Sequence, residues 1–193
     1  SEHRRNEAMR VITGSARGRR LKEPKGTSVR PTTDMVKEAS FSVIQFDIEG
    51  RRVLDLFGCT GQMGIEALSR GAAHCTFVDV SKESVQLIRD NLEHCQLSDR
   101  ASVVQSDYLA FLSRSRETYD LIFLDPPYEG EIIKKALQTI TRIDNLSENG
   151  IIICENGSKN DWPEVPDPYE LKKEYRYGKI RVALYRRRVE NAR

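Results

Sequence analysis

From Arg51 onward the chain alternates between short apolar runs and stretches whose apolar positions recur at helical spacing. Val53-Leu54-Asp55-Leu56-Phe57, Cys75 to Val78, Ala101 to Val104, Tyr119 to Leu124 and Gly150 to Cys154 read as strands. Between them, Ile65 to Arg70 continue as a helix stopped by Gly71. A second helix, capped by Ser81, carries the face Val85, Ile88, Leu92 and Cys95, and Ile132, Ile133, Ala136, Leu137 and Ile140 mark a third. Strands alternating with helices at this spacing imply an α/β fold, with a mostly parallel sheet, right-handed crossovers and helices on both faces.

The two ends follow other patterns. Val11-Ile12 and Leu21 flank a Gly14-to-Gly18 turn, which predicts a small hairpin. Pro31-Thr32-Thr33-Asp34 then opens a helix, with Thr32 or Thr33 as cap and Asp34 at the positive end of its dipole. Its expected buried face is Val36, Ala39, Val43 and Phe46, and Gly50 ends it. After an irregular connector over 156–169, Leu171 to Tyr177 and Ile180 to Tyr185 predict a closing hairpin around Gly178-Lys179. Residues 1–8 are polar and read as a leader without a fold role. Residues 9–30 form a basic arm, and 31–193 the main domain.

Charge sharpens this division. The net charge of +2 conceals nine Lys/Arg against three acidic residues in 1–30 and the same counts in 170–193, leaving −10 for 31–169. Basic ends suit a polyanion, and an acidic middle suits a small cationic ligand; plain solvation of the termini is the alternative. Within the arm, Arg10, Arg17, Arg19, Arg20, Lys22 and Arg30 are candidate RNA contacts. Glycines beside arginines let the backbone approach phosphates closely. Cys59, Cys75, Cys95 and Cys154 lie far apart, with no histidine at ligand spacing, so reduced thiols in a cytoplasmic protein without a metal site are expected. No apolar run approaches the roughly 18 residues of a membrane span.

The strand ends carry the chemistry. Gly58, Gly61 and Gly64 follow the first strand, and Asp79, 15 positions after Gly64, ends the second. A glycine turn followed by an acidic residue is the pattern of a nucleotide-type cofactor, with the carboxylate on ribose hydroxyls. A dinucleotide site would look similar. Asp55 argues against pyrophosphate, because a carboxylate beside the glycine turn repels phosphates and favours an ammonium group. S-adenosylmethionine carries an ammonium and a sulfonium. Asp107 can accept from its adenine amine or simply cap a helix over 108–113. Asp55, Phe57, Gly58, Gly61, Gly64, Asp79, Asp107 and Thr32 are the candidate cofactor contacts.

The fourth strand runs into Asp125-Pro126-Pro127-Tyr128. Each proline fixes its own φ and holds the preceding residue extended. An exocyclic base amine is a poor nucleophile because its lone pair is delocalised into the ring. The Asp125 carboxylate and the Pro126 carbonyl can each accept one of its N–H bonds, favouring a tetrahedral nitrogen whose lone pair faces a methyl donor. Tyr128 offers a stacking face worth about 1–3 kcal/mol. Asp125, Pro126 and Tyr128 are the candidate catalytic residues.

The stretch Asp125-Pro-Pro-Tyr resembles that of amino-methyltransferases that use S-adenosylmethionine. Together with Arg10-Val-Ile-Thr-Gly-Ser-Ala-Arg-Gly-Arg-Arg-Leu, Arg30-Pro-Thr-Thr-Asp, Asp55-Leu-Phe and Gly64-Ile-Glu-Ala-Leu-Ser-Arg-Gly, it resembles the RsmD family from about Met9 to Arg187. The resemblance implies a Rossmann-like class I methyltransferase sheet of seven strands, the last antiparallel. It also implies methyl transfer from S-adenosylmethionine to a guanine N2 amine of small-subunit (16S) ribosomal RNA. The family pattern usually has glycine where this chain has Cys59, and often arginine where it has Met35. Cys59 would be strained if its position needs a positive φ.

Other readings share parts of the pattern. An adenine-N6 methyltransferase acting on DNA or RNA has the same catalytic stretch, but DNA enzymes usually add a target-recognition region. Protein-glutamine methyltransferases typically carry Asn in place of Asp125. A non-catalytic RNA-binding ribosome-assembly protein is the alternative from another class.

Overall fold

The structure, a computed structural model of the chain, describes residues 9–24, 34–126, 131–156 and 161–188. In chain order the elements are α1 (Asp34–Val43), β1 (Arg52–Asp55), α2 (Gln62–Ser69), β2 (His74–Asp79), α3 (Lys82–His94), β3 (Ala101–Gln105), α4 (Tyr108–Arg114), β4 (Tyr119–Leu124), α5 (Ile132–Ile143), β5 (Leu146–Asn156), β6 (Tyr169–Tyr177) and β7 (Ile180–Arg187). The strands form one seven-stranded sheet in the order β3-β2-β1-β4-β5-β7-β6. The first five strands pair in parallel, and β7 is antiparallel to both β5 and β6. This is the α/β architecture that the alternation implies.

The sheet separates two cores. On one face α1, α2, α3 and the N-terminal segment pack through Phe41, Ile65, Ile88 and Leu92. On the other, α4 and α5 pack through Leu112, Ile133, Ala136 and Ile140. The strands that carry both faces, Leu121 to Leu124 and Ile151 to Cys154, are buried along their length, which explains their unbroken apolar runs. Among the described residues no helix is long and apolar enough to cross a membrane.

Two sequence expectations change. The helix after Asp34 stops at Val43, well before Gly50. Its buried positions are Val36, Lys37, Ser40 and Phe41, with Ile44 and Ile48 following, while Phe46 is 92% exposed. The true face is turned by about one residue, because buried Lys37 faces Glu66 of α2 across an ion pair. A hydrophobicity pattern cannot place a lysine in a core. Met35 stands exposed in the first turn of α1. The Thr32 and Thr33 caps lie outside the described residues.

The hairpin before α1 is present but is no loose arm. Val11 N donates to Arg19 O, Gly18 N to Val11 O and Leu21 N to Met9 O. Met9, Val11, Ala16 and Leu21 are all buried in the core on the α1 face. Gly14 has a φ of 93°, and a Cβ there would stand 1.8 Å from Ser69 O, so its glycine is required by packing on α2.

Candidate active site

Strand order places the site. Successive strands run outward from β1 in one direction (β2, β3) and from β4 in the other (β5), so the crevice beyond their carboxyl ends is the topological switch point. Asp55 ends β1 opposite Phe123 of β4, and Asp125 follows β4 by one residue. Asp79 ends the adjacent strand, β2. Three carboxyl groups from three strand ends thus face one turn.

Their electrostatics follow from burial. Asp55 is almost fully buried and its Oδ2 accepts from Gly64 N at 3.1 Å. Burial pushes its carboxyl up to about 8; the Gly64 amide opposes the shift, and repulsion from Asp125 and Asp79 adds to it. The half-buried Cys59 thiol is pushed up to about 12, first by burial and then by Asp79, Asp125 and Asp55. It is therefore an inert thiol in a negative field. That field rejects a phosphate and stabilises an ammonium or sulfonium.

The turn itself is held from within. Asp79 Oδ2 accepts from Cys59 N and Oδ1 from Ser81 N, both at 2.9 Å, so this carboxylate ties the turn to the start of α3. Cys59 has a φ of 55° and Gly61 one of 81°. The strain expected of a cysteine at a positive φ is therefore present, and the Asp79 bond helps to hold it. Gly58 N donates to Val78 O and Gly61 N to Gly58 O. A Cβ at Gly64 would meet the Phe77 ring at 2.3 Å, and one at Gly58 would meet the Ile88 methyl at 2.7 Å. The bend of Gly61 and the close packing of Gly58 and Gly64 explain all three glycines, so any role in binding falls to the shape of the turn.

Beside the turn, the rings of Phe57 and Tyr108 lie 5.1 Å apart and make an aromatic wall between β1 and α4. Next to it Asp107 caps α4, its Oδ2 accepting from Leu109 N and Ala110 N. The capping reading of Asp107 holds, and the residue is exposed. Asp125 and Pro126 are half-buried at the mouth, whereas Pro127 and Tyr128 lie outside the described residues.

The basic residues divide. Arg10 lies by the start of α1, 3.7 Å from Asp34. Arg17, in the Gly14–Gly18 turn, belongs to the other end of the sheet: Ser15 N donates to Ser69 O and Ala16 N to Ser69 Oγ at the last residue of α2. That is about 10 Å of helix rise from the first. Lys22 climbs back along α3, bonded through its backbone to Asn91. Arg19 and Arg20 lie on the returning limb of the hairpin and are exposed, while Arg30 lies outside the described residues.

Sequence reading missed three participants. Lys37 and Glu66 link α1, α2 and the hairpin from inside the core. Gln62, the first residue of α2, is buried with an Oε1 that has no hydrogen-bond partner among the described residues. An amide directly after the glycine turn was the available signal. Among the described residues no three His, Cys, Asp or Glu side chains are placed to hold a metal ion, and all four cysteines are free.

Comparison with known proteins agrees with this geometry. The family model described as Conserved hypothetical protein 95 matches residues 9–186. The chain is 42% identical to "Putative rRNA methyltransferase YlbH" of Bacillus subtilis, over 93% of this chain and 100% of that one. It is 31% identical to Ribosomal RNA small subunit methyltransferase D of Escherichia coli, over 94% and 91%. Among solved structures, "Putative methyltransferase yhhF" from Escherichia coli superposes with a TM-score of 0.84 at 30% identity, covering 94% of this chain and 99% of that one.

Proposed function

The chain belongs to the RsmD family, matched by the Conserved hypothetical protein 95 model over residues 9–186, and from that premise we propose that it methylates the exocyclic N2 amine of a guanine in small-subunit ribosomal RNA. The observation that carries the reading is the convergence of Asp55, Asp79 and Asp125 on one turn at the β1/β4 crevice. S-adenosylmethionine supplies an electrophilic methyl on a sulfonium there. The residues present fit it: buried Asp55 and the carboxylate field receive the ammonium end. Asp79 serves the ribose, and Phe57 with Tyr108 walls the adenine beside Asp107.

Asp125 and the Pro126 carbonyl accept the two N–H bonds of the target amine, so that its lone pair leaves the ring plane. Proline holds both groups in place, which reduces the reorganisation needed at the moment of reaction. Asp125 does not have to be a strong base, since an alkylated amine sheds its proton readily. Tyr128 stacks on the base. Arg10, Arg17, Arg19, Arg20, Lys22 and Arg30 attract RNA phosphates. The target base leaves its stack to enter the crevice, because a paired amine cannot reach the donor. The work takes place in the cytoplasm, where ribosomal RNA and reduced thiols coexist.

Calorimetric titration with S-adenosylmethionine tests the premise. The expected result is one site per chain, lost or strongly weakened in Asp79→Ala. Absence of binding to the unaltered protein would favour an assembly factor over an enzyme.

A further inference from the structure

The basic turn that carries Arg17 is anchored at the end of α2 remote from the crevice. What, then, receives RNA at the crevice itself? Strand register gives an answer. β5 is parallel to β4, so its carboxyl end, Asn156, lies on the same edge of the sheet as Asp125. Asn156 pairs with Arg181 of β7, and Arg181 pairs with Arg176 of β6, next to Tyr177 opposite Ile180. The β6–β7 turn therefore stands on the crevice edge, between two and three strand spacings, or about 10–14 Å, from β4.

We propose that this turn is a second RNA-contacting surface, which holds phosphates and an unstacked base next to the target nucleotide. The inference rests on the transferase reading above. Arg176 and Arg181 are direct cross-strand neighbours, a placement that is unfavourable for a sheet by itself. Arg181 is neutralised by Glu174 at 2.6 Å and lies 5.2 Å over the Trp162 ring. Arg176 and Lys179 are exposed and enter no salt bridge among the described residues. Tyr175 and Tyr177 are half-buried, packed against the core on the α1 face of the sheet. A groove of about 490 Å³ is lined by Glu174, Tyr175, Arg176 and Arg181. The pleat puts Arg176 and Arg181 on the α5 face and Tyr175 and Tyr177 on the α1 face, so a single strand crossing the exposed tip meets charge on one side and flat rings on the other.

Lys172 and Lys173 are excluded from the proposal. They sit mid-strand on the sheet edge, where lysines suppress edge-to-edge pairing without any ligand.

The test compares two double variants with the same charge change, Arg176→Glu/Lys179→Glu and Lys172→Glu/Lys173→Glu, in the full chain with small-subunit ribosomal RNA. The tip variant is expected to weaken RNA binding about tenfold and to raise KM for RNA similarly. Its salt slope should fall by about 1.4, or 0.7 for each lost single-strand phosphate contact. Its kcat and S-adenosylmethionine affinity should match the unaltered protein, and the mid-strand variant should change RNA binding less than twofold. Equal effects of the two variants, or none from either, would overturn the proposal. If the unaltered protein binds RNA without methylating it while the tip variant loses affinity, the transferase reading fails and the RNA surface stands.

Discussion

Lys37 Nζ lies 3.2 Å from Glu66 Oε1, and both side chains are completely buried. Around this pair, Glu66 accepts from Ile12 N at 2.8 Å and Thr13 N at 3.1 Å, and Lys37 donates to Arg10 O at 3.0 Å. Arg70 adds a third charge, 3.0 Å from Glu66 Oε2. Two charges thus fasten the hairpin and α1 to the helix that begins at the glycine turn. Burial holds the Lys37 ammonium below its usual range, and Glu66 partly restores it.

Removing Lys37 leaves Glu66 buried with Arg70 as its remaining salt-bridge partner among the described residues. Lys37→Met is therefore expected to cost about 3 kcal/mol in urea unfolding, the low end for breaking a buried pair. Glu66→Gln keeps one acceptor oxygen and puts an amide nitrogen at the other position. Hydrogen exchange at one of the Ile12 and Thr13 amides should then accelerate selectively; equal protection in both proteins would contradict the linkage.

Asp55 gives a pH dependence of a definite sign. Its carboxyl titrates near 8 when folded, against 3.8 as a free side chain, so between those values the folded state holds more protons than the unfolded one. Stability should therefore fall as pH rises from about 4 to 8 on account of this group. Asp55→Asn should flatten that slope in thermal melts. A cationic ligand that recruits the charged form must displace the proton. Titrations with S-adenosylmethionine below pH 8 in buffers of different ionisation enthalpy should show proton release in the unaltered protein and none in the variant.

Cys59 tests the turn. A non-glycine residue at a φ of 55° is disfavoured by about 1–2 kcal/mol. Part of that is returned by the lower entropy of an unfolded cysteine compared with glycine. Cys59→Gly should raise stability by about 1 kcal/mol, seen as a rise in Tm of a few degrees. A lower Tm would mean that the thiol packs more favourably than the backbone is strained.

Most of the sheet was legible because buried parallel strands are continuous apolar runs, and Leu121–Leu124 and Ile151–Cys154 could be little else. Asp79 and Asp125 were legible for a related reason: each is an acidic residue where an apolar run ends, whereas Asp55 stood out by interrupting the run Val53–Phe57. Long-range charge was not. Nothing near Lys37 in the chain announces Glu66, 29 positions away, so the face of α1 was placed wrongly and Phe46 was assigned to the core. The glycines misled more subtly. Gly64 looks like a ligand cradle in sequence, but its missing side chain is filled by Phe77 and Cys75. Only spatial neighbours distinguish the two.

Asp125 should be separable from cofactor binding. It follows β4 at the crevice, where the proposed amine sits, whereas Asp55 and Asp79, the proposed cofactor contacts, hold the glycine turn. Asp125→Ala is expected to lower kcat by about 10²–10³-fold, the scale of losing one positioned polar partner of the reacting group. Affinity for S-adenosylmethionine should stay within a few fold. Retained turnover would contradict its role.

The central claim is tested most directly by incubating the protein with labelled S-adenosylmethionine and small-subunit ribosomal RNA, then digesting the RNA to nucleosides for mass spectrometry. One added methyl is expected, on N2 of guanosine, absent from Asp125→Ala reactions. Label on N6 of adenosine, or an unmodified RNA despite bound cofactor, would contradict it.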